Sequence, residues 1–370
     1  MPAAPSKPSS DGMKVGAYNP FLHARGGGER YFLEACRVLA RHHSVDVLVP
    51  PGPRSVEDLV GELHRTFELD LEGIGFRPLA PGLRPQVALR EFDATISVTN
   101  DWPMIGAKRP HVAILQFPWG IAGWSMKRRA KAAWAIHRAD RVLVYSQYTR
   151  RYVESLPFAR CAVVAPAVAV LSPDSAPKER LILAVGRFAA SGHGKKHGPM
   201  IDAFSAVAKS LPDWRLALVG SLGDGDAGYL DALRERAVGV HVDFYPNADR
   251  GELESLYRRA SLFWHGAGLG EDPQRNPELM EHFGIVAVEA MSAGAVPLVF
   301  NGGGLPEIIV DGDCGLLWST LEELIRLSVE LATDDARRRE MARQAQERAK
   351  LFSIETFTRN FEDALPEAMR

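Results

Sequence analysis

Cysteine is scarce in this chain. Three residues, Cys36, Cys161 and Cys314, are scattered over 370 positions without metal or redox spacing. That pattern argues against a disulfide scaffold or a cysteine-bound metal, and the expectation is reduced thiols in the cytoplasm. Long apolar runs are missing too. The most apolar region, 111–124, is interrupted by Gln116 and Pro118 and is too short to span a bilayer. The opening MPAAPSKPSSDG lacks the hydrophobic core of a signal peptide and reads as a disordered tail, 1–12. No repeat of short period is present, which argues against a solenoid. The dinucleotide fingerprint G-x-G-x-x-G with its distal acid is also lacking, which argues against a nicotinamide dehydrogenase.

Net charge is small, −2, but it is divided unevenly. Residues 1–175 hold 22 Lys and Arg against 16 Asp and Glu, a balance of +6. Residues 176–370 hold 22 against 30, a balance of −8. The basic half suits an anionic acceptor or surface, although such imbalance also arises without a function. Nothing in the pattern suggests nucleic acid as a partner. With 46% hydrophobic and 24% charged residues, the composition is globular, and the length suits two domains.

Apolar strand-like runs alternate with helical patterns along both halves, which predicts parallel sheets covered by helices. In the first half, strands are expected at 13–18, 45–49, 94–99, 112–116 and 141–145, with helices at 29–42, 122–138 and 147–155. The stretch 50–90 is crowded with Pro and Gly and gives no firm assignment. In the second half, strands are expected at 181–185, 215–219, 240–244, 261–264 and 295–300. Helices are expected at 199–210, 227–237, 250–259, 284–293 and 319–331. A proline-rich linker, 165–178, separates the halves, and helical periodicity runs from 335 to 364. The expected domains are 13–172 and 173–350, with 351–370 a helix returning to the first.

The stretch EHFGIVAVEAMSAGAVPLVFNGGG, residues 281–304, carries the most chemistry. Glu281 and Glu289 bracket a helix opening at Gly284. Its first turn offers unpaired N–H groups around Phe283, Gly284 and Ile285 to an anion. Side chains lean toward a helix N-terminus, so Glu289 leans toward that anion. A carboxylate beside a phosphate suits the two hydroxyls of a ribose. A nucleotide carrying phosphate and sugar is the inferred ligand, against the plainer reading of two solvated glutamates on an amphipathic helix. The loop Asn301-Gly302-Gly303-Gly304 has no side chains to block that ligand.

The same stretch resembles glycosyltransferase family 4, through E-x7-E followed by a small-residue strand and the turn Gly303-Gly304-Leu305-Pro306-Glu307. Upstream, Val185-Gly186-Arg187-Phe188 and the basic loop 192–197 match the family as well. The resemblance implies two Rossmann-like domains facing across a cleft, the GT-B fold. It further implies a retaining transferase that uses a nucleotide-diphosphate sugar. By the same resemblance, Arg187 and Lys195, with Lys196 as fallback, contact the donor diphosphate, and Glu281 orients the donor sugar. Gly27 and Gly28 of the turn 26–30 face donor phosphate and acceptor. Gln116 stands where many relatives carry a histidine, and a glutamine cannot trade protons. His111 lies at the opposite end of its strand and reads as structural. His265 follows a strand and is read either as a donor contact or as a plain loop residue.

Asp224-Gly225-Asp226 and Asp311-Gly312-Asp313 look like D-x-D metal motifs, but Asp-Gly belongs to turns for backbone reasons alone. No metal or other cofactor is expected. A basic segment with Trp124, Met126 and Trp134 among Lys127, Arg128, Arg129, Lys131, Arg138 and Arg141 suits an anionic membrane face, or simply a solvated helix. The acceptor is expected to be a glycan, a lipid-linked molecule or a small molecule. A sugar-nucleotide epimerase or hydrolase, and a non-catalytic binding protein, remain as alternatives.

Overall fold

The computed structural model describes residues 12–24, 26–100, 108–118, 124–157, 159–171, 177–190, 194–223 and 225–370. The tail 1–11, the linker centre 172–176, residues 192 and 193 of the basic loop, the helix start expected at 122 and Asp224 lie outside them. The chain forms two compact units, one comprising residues up to 167 together with 354–370, the other residues 168–353.

The first unit runs β1 Lys14–Tyr18, α1 Gly27–Leu39, β2 Ser44–Val49, α2 Val56–Phe67, β3 Ile74–Pro78, α3 Pro85–Ala88 and β4 Ala94–Thr99. It continues β5 His111–Leu115, α4 Met126–Arg138, β6 Arg141–Val144, α5 Gln147–Glu154 and β7 Cys161–Val163. Its seven strands are ordered β3-β2-β1-β4-β5-β6-β7 and every registered pairing is parallel. Strands β4 and β5 are buried along their whole length, so they read as continuous apolar runs rather than alternating ones.

The second unit runs β8 Glu179–Val185, α6 His197–Ser210, β9 Arg215–Gly220, α7 Ala227–Arg236, β10 Val242–Pro246, α8 Arg250–Arg259 and β11 Ala260–His265. Then follow α9 Ile285–Ser292, β12 Val296–Phe300, α10 Leu305–Ile308, β13 Leu316–Trp318, α11 Leu321–Thr333 and α12 Asp335–Ala349. Its sheet is ordered β10-β9-β8-β11-β12-β13, again parallel. Trp264, Trp318 and Phe204 are fully buried in one core between sheet and helices. Two α/β parallel-sheet units are the architecture that the alternation of runs predicts.

Several boundaries move. The pattern 335–364 divides at a short turn into α12 and α13 Ile354–Ala364, and α13 packs with the first unit, its Phe357 edge-on to Tyr31 at 5.3 Å. The first helix begins at Gly27 instead of 29 and ends at Leu39 instead of 42. Gly27 and Gly28 are therefore its first turn, with Gly26 as N-cap. The N–H of Gly26 donates to Glu29 Oε2 at 2.7 Å, closing the turn from inside the helix.

Candidate functional site

In each sheet the strand order reverses once, and ligands of open α/β sheets bind at the carboxyl end of the strands beside such a reversal. In the second sheet the reversal lies between β8 and β11. Gly186 and Arg187 leave β8 there, and His265 ends β11. Lys195 and Lys196 precede α6, and Glu281 precedes α9. Topology thus gathers residues separated by almost a hundred positions.

Lys195 Nζ donates to Glu281 Oε2 at 2.7 Å. His265 Nε2 lies 3.0 Å from the same oxygen. It is not aligned as a hydrogen bond. The N–H of Ala267 donates to His265 Nδ1 at 3.3 Å, so the neutral ring carries its proton on Nε2, facing Glu281. Burial alone would raise the Glu281 pKa. The charge of Lys195 and the His265 contact outweigh it and hold the carboxyl well below its usual range. Burial also lowers the pKa of His265, which keeps the imidazole uncharged. The result is one fixed carboxylate with a cation on one side and a neutral imidazole on the other.

The backbone makes this contact possible. A Cβ on Gly186 would fall 2.4 Å from Lys195 Cγ, so only glycine lets that side chain cross the end of β8. Arg187 is exposed and has no ion pair among the described residues. Lys196, with φ 59°, turns the other way and pairs with Glu271 at 2.6 Å. The two adjacent lysines therefore diverge, one to Glu281 and one to a loop carboxylate.

Helix α9 has Gly284 as N-cap at φ 109°, with no side-chain cap. Ala287 and Val288 donate to the Gly284 carbonyl at 3.0 and 3.4 Å, and the N–H groups of Phe283, Gly284 and Ile285 precede that first bond. The 302–304 loop needs a different account from the one its sequence suggests. A Cβ on Gly303 would meet the Glu281 carbonyl oxygen at 2.0 Å, and one on Gly304 the His282 carbonyl oxygen at 2.4 Å. The glycines admit the backbone of 281–283, and the Gly304 N–H donates to the Glu281 oxygen at 2.8 Å. The space the sequence left for a ligand is taken by protein.

Glu289 is 4% exposed, and both its oxygens have protein partners. Arg250 Nη1 donates to Oε1 at 2.9 Å and the Tyr257 hydroxyl to Oε2 at 3.0 Å. Neither Arg250 nor Tyr257 was singled out from sequence; the available signal was their spacing of seven on α8, two turns on one face. His197 was also missed. It stacks on Phe188, and burial pushes its pKa down to about 4.

In the first unit, Gln116 follows β5 and lies against the first turn of α1. A Cβ on Gly28 would fall 2.2 Å from Gln116 Nε2. Asn19 Nδ2, Gln116 Nε2 and the hydroxyls of Tyr31 and Tyr145 are buried without an aligned hydrogen-bond partner among the described residues. The Tyr31 and Tyr145 rings are 4.6 Å apart. His111 bonds Thr95 Oγ1 through Nδ1 at 2.8 Å, and burial lowers its pKa to about 4. Asp311 accepts the N–H of Leu317 at 2.9 Å, and no group of three metal-ligating side chains occurs among the described residues. The helix α4 exposes Met126 at 87% and Trp134 at 53%. Arg128 lies over the Trp124 ring, 4.3 Å from its centre. No helix among the described residues is long and apolar enough to cross a membrane.

The family model described as glycosyl transferases group 1 matches residues 172–348, and that described as glycosyltransferase family 4 matches 25–170. A D-inositol 3-phosphate glycosyltransferase of Corynebacterium kroppenstedtii is 29% identical over 185 residues, 46% of this chain and 37% of that protein. A GDP-Man:Man(3)GlcNAc(2)-PP-Dol alpha-1,2-mannosyltransferase of Dictyostelium discoideum is 27% identical over 197 residues, 50% of this chain and 36% of that protein. The match thus spans well under half the length of these curated relatives. Among solved structures, Anabaena Alr3699/HepE with UDP and glucose superimposes with a TM-score of 0.72 at 18% identity, over 95% of this chain and 98% of that one. WaaG, a glycosyltransferase involved in lipopolysaccharide biosynthesis, gives 0.66 at 18% identity, over 96% and 100%. At such identities these structures establish the fold, GT-B.

Proposed function

The chain belongs to glycosyltransferase family 4, and we propose that it moves a hexose-type sugar from a nucleotide-diphosphate sugar to an acceptor hydroxyl, with retention and without a metal. The observation that carries this reading is the convergence of Lys195 and His265 on one oxygen of Glu281, beside the exposed Arg187 and the start of α9, which has no side-chain cap. Cleaving the bond between the anomeric carbon and the diphosphate oxygen leaves negative charge on the diphosphate. Arg187, Lys195 and the N–H groups of 283–285 stabilise that charge, which is the work a metal does in other transferases. Lys196 is the reserve cation. Glu281 orients the sugar hydroxyls, with His265 holding the carboxylate in place. Glu289 takes the ribose.

Retention follows a front-face route. The acceptor oxygen bonds to the anomeric carbon on the face the phosphate leaves, and the departing phosphate oxygen takes the acceptor proton. Gly27, Gly28 and Gln116 serve the acceptor side. A glycan, lipid-linked or small-molecule acceptor fits this scheme. The exposed Met126 and Trp134 among the cations of α4 suit peripheral contact with anionic lipid at the inner face of a membrane. In that setting the enzyme is cytoplasmic.

Transfer assayed with EDTA present tests the reading directly. Glu281→Ala and Arg187→Ala are each expected to lower turnover by about a hundredfold or more with the fold intact. Unchanged turnover in both sinks the assignment. Nucleotide release that is equally fast without acceptor would point to a hydrolase or epimerase instead.

A further inference from the structure

We propose that Arg250 and Tyr257 are positioning residues that set Glu289 to read the ribose hydroxyls of the donor nucleotide, an inference that rests on the donor reading above. Asp249 caps α8, accepting the Glu252 N–H at 2.8 Å, so Arg250 is its first residue and lies at the carboxyl edge of the second sheet, just after β10. Tyr257 follows two turns later on the same face. Both side chains meet Glu289, which projects from the second turn of α9. Arg250 is itself fixed by Glu254, with Nε to Oε1 at 2.8 Å.

A carboxylate has about four acceptor positions, two on each oxygen. Arg250 takes one on Oε1 and Tyr257 one on Oε2, which leaves one on each. A ribose presents two vicinal hydroxyls, and two acceptors in one plane are their complement. The protein partners also make the site affordable. An ionised carboxylate buried without a cation carries a penalty of several kcal/mol. Arg250 removes it, and Tyr257, whose hydroxyl is held far above its ordinary pKa by burial, remains a donor at any physiological pH. The competing explanation is a brace between α8 and α9 that never touches a ligand.

Calorimetric titration of the full chain with UDP, GDP and their 2′-deoxy and 3′-deoxy counterparts separates the two. The wild type is expected to prefer one ribonucleotide over its deoxy forms by about tenfold or more, as loss of a hydrogen bond to a charged group implies. Tyr257→Phe is expected to weaken the ribonucleotide about threefold to tenfold while hardly changing the deoxy forms, so the preference shrinks. Arg250→Lys keeps the charge but loses the planar fork, and should erode the preference further. A brace would lower Tm and scale all affinities alike; an unchanged ribo-to-deoxy ratio in a folded Tyr257→Phe variant therefore overturns the proposal, whether or not Arg250→Lys folds. A wild type that binds the nucleotides without preferring ribose overturns it while sparing the donor reading. A wild type that binds neither nucleotide overturns both.

Discussion

At the carboxyl edge of the second sheet, acids and bases arrive already matched. Lys195 pairs with Glu281, Lys196 with Glu271 and Arg250 with Glu289, all at 2.6–2.9 Å. In the first unit, the side chains beside β1, β5 and β6 are amides and phenols around one buried acid, Glu29, whose pKa burial raises, and four of the amide and phenol atoms have no aligned partner among the described residues. Energetics explains the contrast. An unpaired buried charge costs several kcal/mol, while an unpaired neutral donor costs about 1–3 kcal/mol. Only neutral groups can be left open in a folded domain at tolerable cost. An ionic site must hold its charges in place with partners until a charged ligand exchanges with them. At that edge Arg187 has no ion pair among the described residues and avoids the penalty by staying exposed.

The strongest way to break that contrast is to dislodge the ionic site through its backbone. Gly303→Ala places a Cβ 2.0 Å from the Glu281 carbonyl oxygen at a residue with φ 62°. Left-handed backbone costs a non-glycine residue about 1–2 kcal/mol, and here the backbone of 281 must move as well. A clear fall in Tm together with at least about a hundredfold loss of turnover is expected from calorimetry and a transfer assay. Full activity in this variant would mean that the glycine turn does not position Glu281.

That dependence was only half legible in sequence. Glu281 and His265 could be picked out because one precedes a helix and the other follows a strand, with glycines nearby, whereas Arg187 and Lys195 were picked out by the resemblance to glycosyltransferase family 4. Why residues 302–304 are glycines could not be read, because the reason is another stretch of backbone. Arg250 and Tyr257 belong to no local motif, and only the packing of α8 on α9 gives them a role. In the fold, most strands and helices were readable from periodicity. The helix α2 was not, although Leu59, Leu63 and Phe67 repeat every four residues on its buried face. Pro50, Pro51, Gly52 and Pro53 just before it masked the pattern. Strand β7 has three residues, too few to show a period.

A second comparison puts one buried histidine in each unit. His111 and His197 both have pKa values lowered by burial to about 4. Between pH 6.5 and 4 the unfolded chain binds protons that the folded chain refuses, so stability rises with pH across this window and is lost as pH falls through it. About 2.5 units at 1.36 kcal/mol each gives roughly 3 kcal/mol per histidine at most. Glu281, with its lowered pKa, acts in the same direction, but its window lies below its ordinary pKa near 4.5. His111→Gln and His197→Gln should each flatten the dependence of Tm on pH between 6.5 and 4.5, relative to wild type. A variant as acid-sensitive as wild type would show that its histidine is protonated in the folded state.

The smallest effect sharpens the neutral side of the contrast. Gly28→Ala also introduces a close contact, 2.2 Å from Gln116 Nε2, but what it meets is the end of a side chain. Glycine in the middle of a helix costs about 0.5–1 kcal/mol relative to alanine; Gly28 is in the first turn of α1, so the substitution gains only part of that to set against moving the Gln116 amide. Tm should therefore hardly move. Gln116 must turn aside, and if its amide serves the acceptor, transfer should fall by about tenfold with the larger change in acceptor KM. Gln116→Ala should cause a similar fall, and adding Gly28→Ala to it should cost nothing more, because the contact no longer exists. Additive losses would show that the two residues act independently, the glycine through its own backbone N–H rather than through the amide. An undiminished rate in both single variants would remove this cluster from the reaction, leaving the ionic edge of the second sheet as the part of the site that matters.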